Sequence, residues 1–439
     1  MKKVYLSVIG FAIVCRMGAY AQTLPDTTNK PKTSLYTPID DTTDYRPRRL
    51  RIDEINLVSS YYNQTGNHSP VTGGVGTEAV TDISNGLELK LVWLGENLNK
   101  NTISAGLGID YHTSASAAYV NKSGASKTGG SRVYPSLDWT LETKGGSFGI
   151  GSYVSSEYNY SSFGADLHFS KKVNHNNGEF SAKFQAYLDQ VTMIYPSEFI
   201  PAPVKTVSNG IVYITSASGR TTAVSSGGST TTSGGGSLPT SARDTYTGSF
   251  SYSQMISPRL QGMLLFDAVA QSGYLGLPFH RVYFANKADS DAVEKLPSNR
   301  YKLPIGGRLN YFLGDNIILK GYYRYYMDSW GTKSNTANLE VVYKITPFFS
   351  VSPFFRYYDQ TAARYFAPIY SHTPSEQYYT SNYEYAQFTS RFFGMGVRLA
   401  PPKGVLGWQS LHDVEIRYGH YSQSTDLLSD VVSMAFSFK

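Results

Sequence analysis

The feature that most constrains this chain is a period of two. From about residue 52 onward it runs in segments of roughly ten residues whose alternate side chains are apolar. Phe180, Ala182, Phe184, Ala186 and Leu188 share one face of such a segment, with Ser181, Lys183, Gln185 and Tyr187 on the other. Leu339, Val341, Tyr343 and Ile345 oppose Asn338, Glu340, Val342 and Lys344. Leu87, Leu89, Leu91 and Trp93 alternate with Glu88, Lys90 and Val92, and Phe349 to Tyr358 repeats the pattern. Side chains alternate across a strand, so these are strands with one apolar and one polar face. The aromatic fraction of 14%, with 36 tyrosines, is high, and the charged fraction of 16% is low for a soluble domain. This excludes coiled coils and helical bundles. Beyond the N-terminus, no apolar run is long enough for a membrane helix. A wall with lipid on one side and water or a polar network on the other fits best.

Counting such segments gives about sixteen strands between residues 52 and 438, with fourteen to eighteen allowed. The links support the count. Short ones follow even-numbered strands, as at Thr143 to Gly145, Ser257-Pro258 and Pro347. Long ones, at 64–85, 113–131, 190–244, 273–303 and 360–385, follow odd-numbered strands. Short turns at one end and long loops at the other are the asymmetry of an outer-membrane barrel. The expectation is therefore an all-β protein, a transmembrane antiparallel β-barrel at 52–439 with long extracellular loops. Within the longest loop, 216–241 is rich in Gly, Ser and Thr and is expected to be a flexible surface segment.

The N-terminus points to export. Lys2 and Lys3 precede an apolar run from Val4 to Cys15, and Ala19-Tyr20-Ala21 is a small-x-small cleavage site, so 1–21 reads as a signal peptide. Val14 is too bulky for the residue before a lipidated Cys15. Cleavage removes the single cysteine and lowers the net charge from +6 to +3. Residues 22–51 read as a mobile periplasmic leader. Apart from Arg46, Arg48, Arg49 and Arg51 the charges are dispersed, which speaks against nucleic acid as a partner.

Signals for catalysis are thin, and no enzyme is expected. Gly145-Gly146-Ser147-Phe148-Gly149 has the spacing of a serine-hydrolase elbow but lacks the strand-turn-helix setting, so it reads as a turn. The histidines show no paired spacing for zinc, and no phosphate-cradling loop is present, so no metal or cofactor is expected.

Parity sends Glu88, Lys90, Asp166, Lys183, Asp267, Arg308, Lys320, Arg324, Glu340, Lys344, Arg356, Asp413, Glu415 and Arg417 to the lumen. On the lipid face a Lys or Arg near the bilayer midplane costs roughly 2–4 kcal/mol. Such charges form either a packed ion-pair network stiffening the wall or a path lined by both signs.

Several loop motifs carry a resemblance. They are Val71-Thr72-Gly73-Gly74-Val75-Gly76-Thr77-Glu78, Tyr158 to Ser162, Gly273 to Phe279 with Arg281, and Glu294, Pro297 and Arg300. Tyr323 to Tyr326, Asp328-Ser329-Trp330-Gly331 and Arg356 to Gln360 with Ala362-Ala363 complete the set. In these the chain resembles a family of predicted bacterial outer-membrane proteins of unknown function. The resemblance implies an outer-membrane barrel and no substrate. With the topology above, Arg281, Glu294, Arg300, Arg324, Asp328, Trp330, Arg356 and Asp359 are expected to cluster at the extracellular mouth, with Arg324 and Arg356 pairing to Asp328 and Asp359. Trp330, Tyr274 and Phe279 are either interface anchors or parts of a plug or lid. The expected function is a passive channel or transporter for small polar solutes. A non-conducting structural or surface-interaction barrel with a plugged lumen is the alternative. The expected partners are outer-membrane lipid and the barrel-insertion machinery.

Overall fold

The computed structural model describes residues 50–95, 98–114, 130–157, 159–196, 239–285 and 291–439, with short strands at 204–208, 211–215, 221–225 and 230–233. The signal peptide at 1–21, the leader up to residue 49 and most of 216–241 lie outside the described residues. In chain order the strands begin with β1 (Arg51–Thr65), β2 (Val80–Leu94), β3 (Lys100–Ser114), β4 (Gly130–Thr143), β5 (Gly146–Glu157), β6 (Tyr160–Val173) and β7 (Gly178–Thr192). A separate four-stranded antiparallel sheet follows, β8 (Val204–Ser208), β9 (Ile211–Thr215), β10 (Thr221–Ser225) and β11 (Thr230–Ser233). Next come β12 (Thr240–Ser257), β13 (Leu260–Gly273), the small pair β14 (Arg281–Tyr283) and β15 (Asp291–Val293), and β16 (Asn299–Leu313). The chain finishes with β17 (Ile317–Asp328), β18 (Lys333–Thr346), β19 (Phe349–Gln360), β20 (Phe388–Leu399), β21 (Leu411–Gln423) and β22 (Leu428–Phe438).

Sixteen of these strands, β1–β7, β12, β13 and β16–β22, form one closed antiparallel barrel, sealed where β22 pairs with β1. Closure leaves no strand edge unpaired, the condition for crossing hydrocarbon with β-structure. Where Pro135 cannot donate, the β4–β5 register skips from Val133 to Ser136, confining the proline to a gap in the ladder.

The two faces separate cleanly. Leu264 (68% exposed), Leu309, Tyr323, Leu339 (51%), Phe355 and Phe393 project from the outer wall. In a membrane this exposed apolar surface faces lipid. Phe184, Phe250 and Phe266 adjoin one another on that same wall. The inward face is polar, with Lys320 paired to Glu340 across β17 and β18 and Lys90 to Glu54 across β2 and β1.

The strands run further at the loop end than the apolar alternation does. β2 begins at Val80, β12 at Thr240 and β16 at Asn299, where the hydrophobic pattern places starts near 86, 245 and 304. Among the added residues, polar outward side chains such as Thr81, hydrogen-bonded to Asn63, interrupt apolar ones such as Ile83. Beyond the hydrocarbon an outward residue need not be apolar, so the pattern fades while the ladder continues.

The assignment of faces predicts unequal tolerance. Leu339→Arg should lower barrel stability in a bilayer by about 2–4 kcal/mol, whereas Asn338→Arg, one residue away and inward, should cost far less. Urea titration of both variants in lipid vesicles measures the difference, and equal losses would contradict the register.

Candidate functional site

The loops at the end away from the barrel's termini are folded. Loop 66–79 joins β1 to β2, and loop 274–298 joins β13 to β16, eight strands round the circle. A sixteen-stranded barrel is about 30 Å wide between backbones, from its strand spacing and tilt. Even so, these two loops touch. The Arg281 guanidinium, 1% exposed, donates to the Val71 carbonyl at 2.8 Å. A Cβ on Gly73 would lie 2.6 Å from the Tyr283 ring. Loop 361–387 fills the space beside them. His68 stacks on Tyr383 at 3.6 Å, Phe284 packs edge-on against Tyr379, and the Ser381 amide donates to His280 Nε2 at 3.2 Å. Burial depresses the His280 pKa to about 3, so its ring stays neutral. Three loops from distant strands thus form a lid across the mouth.

Glu294 ties this lid together. It is 4% exposed and accepts from the Leu277 amide at 2.7 Å and the Thr380 hydroxyl at 2.5 Å, joining loop 274–298 to loop 361–387. Burial pushes its pKa up to about 7. Arg300 and Asp328 form the second anchor, with Arg300 Nε and Nη2 donating to Asp328 Oδ2 at 2.9 and 2.5 Å. The other Asp328 oxygen receives the Trp330 and Thr332 amides at 2.9 and 3.0 Å. Trp330 is 1% exposed, lies 4.4 Å under the Arg300 guanidinium and packs against Tyr365 and Tyr385.

The cluster expected at the mouth therefore divides. Arg281, Glu294, Arg300, Asp328 and Trp330 belong to the lid or its rim, and Trp330 is a lid residue rather than an interface anchor. The pairing expected for Arg324 and Arg356 needs correction, because Asp328 is bound by Arg300 on the neighbouring strand. Asp359 also needs correction. It shares parity with the outward Phe355 and Tyr357, sits opposite Asn335 on the outer face and accepts from Asn335 Nδ2 at 3.1 Å. Arg324 and Arg356 point into the lumen below the lid and have no acid partner among the described residues.

The register places the charges named for the lumen on the inward face, arranged by sign. β2–β5 carry Asp82, Glu88, Asp110, Asp138, Glu142 and Glu157 against Lys90, Lys100 and Arg132. β16–β19, on the far side of the circle, carry Arg300, Lys302, Arg308, Lys320, Arg324, Lys344 and Arg356 against Asp328 and Glu340. Between these walls lie Asp166 on β6, Lys183 on β7, Asp267 on β13 and the acid–base set Asp413, Glu415 and Arg417 on β21. Side-chain exposures of 41% for Glu88 and 45% for Lys320 show that both walls meet solvent.

One lumenal knot has the residue types of a metal site. Asp138, Asp166 and His168 offer ligand atoms within 4.8 Å of one another. They meet because Gly149 and Gly151 on the intervening β5 carry no side chain, and a Cβ there would collide with His168 and Asp166. This gives the glycines around the elbow-like motif a packing role, while the Ser147 hydroxyl meets that of Ser170 at 2.9 Å. Asp166 is already engaged by the Tyr153 hydroxyl, by His168 Nδ1 at 2.9 Å and by Lys183 at 3.4 Å. His168 Nε2 meets Thr140 Oγ1 at 3.0 Å, so the knot's polar atoms engage one another and their neighbours.

The lid residues that sequence reasoning missed are His68, His280, Tyr283, Thr380, Ser381 and Tyr383. They sit in loops without periodicity, and only the glycine pair at 73 and 74, both at positive φ, hinted at tight packing.

Residues 95–427 match the family described as "Protein of unknown function (DUF3570)". No curated protein matches the chain. Solved structures it is similar to include OccAB3 of Acinetobacter baumannii, at 8% identity over 88% of this chain and 98% of that one, with a TM-score of 0.38. OccD3 (OpdP) of Pseudomonas aeruginosa matches at 6% identity over 90% and 95%, with a TM-score of 0.39. A BenF-like porin of Pseudomonas fluorescens Pf-5 matches at 7% identity over 88% and 98%, with a TM-score of 0.39.

Two predictions concern the lid. Gly74→Ala forces a side chain into a backbone at φ +84° and against the Ser381 carbonyl, so protease should cut loops 66–79 and 361–387 faster while the barrel stays folded. The pH response follows from Glu294. Its folded pKa near 7 lies above the ordinary 4.5, so its contribution to lid stability is complete below about pH 4.5 and is lost as pH rises through 7. Hydrogen exchange of loop 274–298 should be slower at pH 5 than at pH 8, and Glu294→Gln should flatten that difference.

Proposed function

The chain belongs to the DUF3570 family, and from its geometry we propose that it is a channel of the bacterial outer membrane for small polar or charged solutes. The observation that carries this reading is the separation of charge between facing lumen walls. A wall-stiffening network would place opposite charges side by side, as the Asp138–Asp166–His168 knot does. Most charges of β16–β19 instead face an acidic wall too distant for direct pairing. Exposed charges on facing walls create a field across the water between them, and a solute carrying charge or a strong dipole is oriented and admitted by that field.

In this reading 1–21 is a signal peptide, 22–51 a periplasmic leader and 52–439 the barrel, placed by the insertion machinery with its outer wall against outer-membrane lipid and its lid outward. The lid narrows the mouth and sets an upper limit on solute size. The same lid favours the second reading, a non-conducting barrel that presents its loops as a surface.

Reconstitution in planar bilayers separates the two. A channel gives discrete ohmic steps, with larger steps for Gly74→Ala because its lid is loosened. Silence from both proteins would reject the channel reading in favour of the closed barrel.

A further inference from the structure

We propose that Arg308, Arg324 and Arg356 form a binding site for a small oxyanion on the basic wall, deepening the channel reading on which the proposal rests. These three arginines, like Lys302 and Lys344 on the same wall, have no acid partner among the described residues, and they are the ones that lie close together. Arg300 is held by Asp328, Lys320 by Glu340, Arg417 by Glu340 and Glu415, and Arg398 by Asp413. Among the described residues Arg308 and Arg356 have no acid partner and lie over the Tyr322 ring, at 5.8 Å, and the Phe392 ring, at 5.5 Å. Arg324 Nε is buried without a hydrogen-bond partner, and so is Thr336 Oγ1 on the residue directly opposite it.

The ladder brings the three together. Arg308, Tyr322, Asn338 and Arg356 lie in one row across β16–β19. Arg324 sits one inward position nearer the lid, on the strand beside Arg308. Strands are spaced about 4.8 Å apart, so Arg308 and Arg356 are roughly 14 Å apart at the backbone, within convergence of two arginine side chains. Arg324 reaches the same space from above. Beside Arg356 the wall opens into a recess of about 230 Å³, bordered by Asn338, Phe354, Phe392, Arg417 and Glu340, whose carboxylate is held by Lys320 and Arg417. That volume suits a small organic anion.

The one carboxylate at this patch, Glu340, is already taken by Lys320 and Arg417, so the three guanidinium groups repel one another and an anion relieves that repulsion. Arginine's planar fork matches carboxylate and phosphate oxygens bidentately. The ligand class is therefore a small oxyanion, either an organic carboxylate or inorganic phosphate. The acidic wall opposite would keep it on the arginine side.

The test is calorimetric titration of the full, detergent-folded barrel with succinate and, separately, with inorganic phosphate, which needs no conductance. At least one should bind, and the one that does identifies the source of the oxyanion. Arg324→Gln/Arg356→Gln should weaken that binding tenfold or more, whereas Lys183→Gln, on a distant strand, should leave it unchanged. Arg308→Gln alone should weaken it in part and serves if the double variant does not fold. Wild-type protein that binds neither anion, or a double variant that binds as tightly, would overturn the site. Bilayer currents distinguish this failure from that of the underlying reading. A conducting barrel that ignores both anions loses only the site, and a silent barrel that binds them loses the channel.

Discussion

Everything in this structure depends on a closed hydrogen-bond ladder. Hydrocarbon offers no partner to a backbone amide, so a sheet that crosses it must close on itself. Closure fixes the register of every strand, and register fixes which side chains meet lipid. Once Leu339 faces outward, Glu340 faces the lumen, and so does each charge at matching parity. The fixed ladder also lets charges from strands far apart in sequence form walls. Arg308 and Arg356 are 48 positions apart in sequence but share a row.

Much of this was legible in the sequence because the bilayer writes a simple code. Alternation, the abundance of tyrosine and the contrast between short and long links together indicate a barrel of sixteen strands. The code stops where the bilayer stops. At the loop ends of β2, β12 and β16 polar outward residues such as Thr81, Asn85 and Asp244 break into the apolar series, and the strands run on past the regular alternation. Asp359 shows the opposite case, since the alternation of Phe355 and Tyr357 already assigns it to the outer face. The motif around Arg356 drew it into the mouth cluster against its parity.

The lid could not be read in the same way. Its contacts join residues more than 200 positions apart, such as Val71 and Arg281, through backbone carbonyls and ring packing that leave no periodic trace. What the sequence held was a set of motifs, and the structure shows much of that set meeting in one object. Val71 to Gly74, Arg281, Glu294 and Trp330 are parts of a single cap over a charged lumen. The parts are then physically distinct: a lipid-facing wall that holds shape, a lumen whose opposed charges face water, and a lid packed across its mouth.

The central claim is that charged side chains line a water-filled lumen below the lid, and cysteine accessibility along β17 tests it most directly. Cys15 is the single cysteine of the chain, so residues 319–324 can be replaced by cysteine one at a time in a Cys15→Ser background. A charged, membrane-impermeant thiol reagent should label positions 320, 322 and 324 and spare 319, 321 and 323 when the protein sits in lipid vesicles. Labelling without alternation, or protection of all six positions, would contradict it.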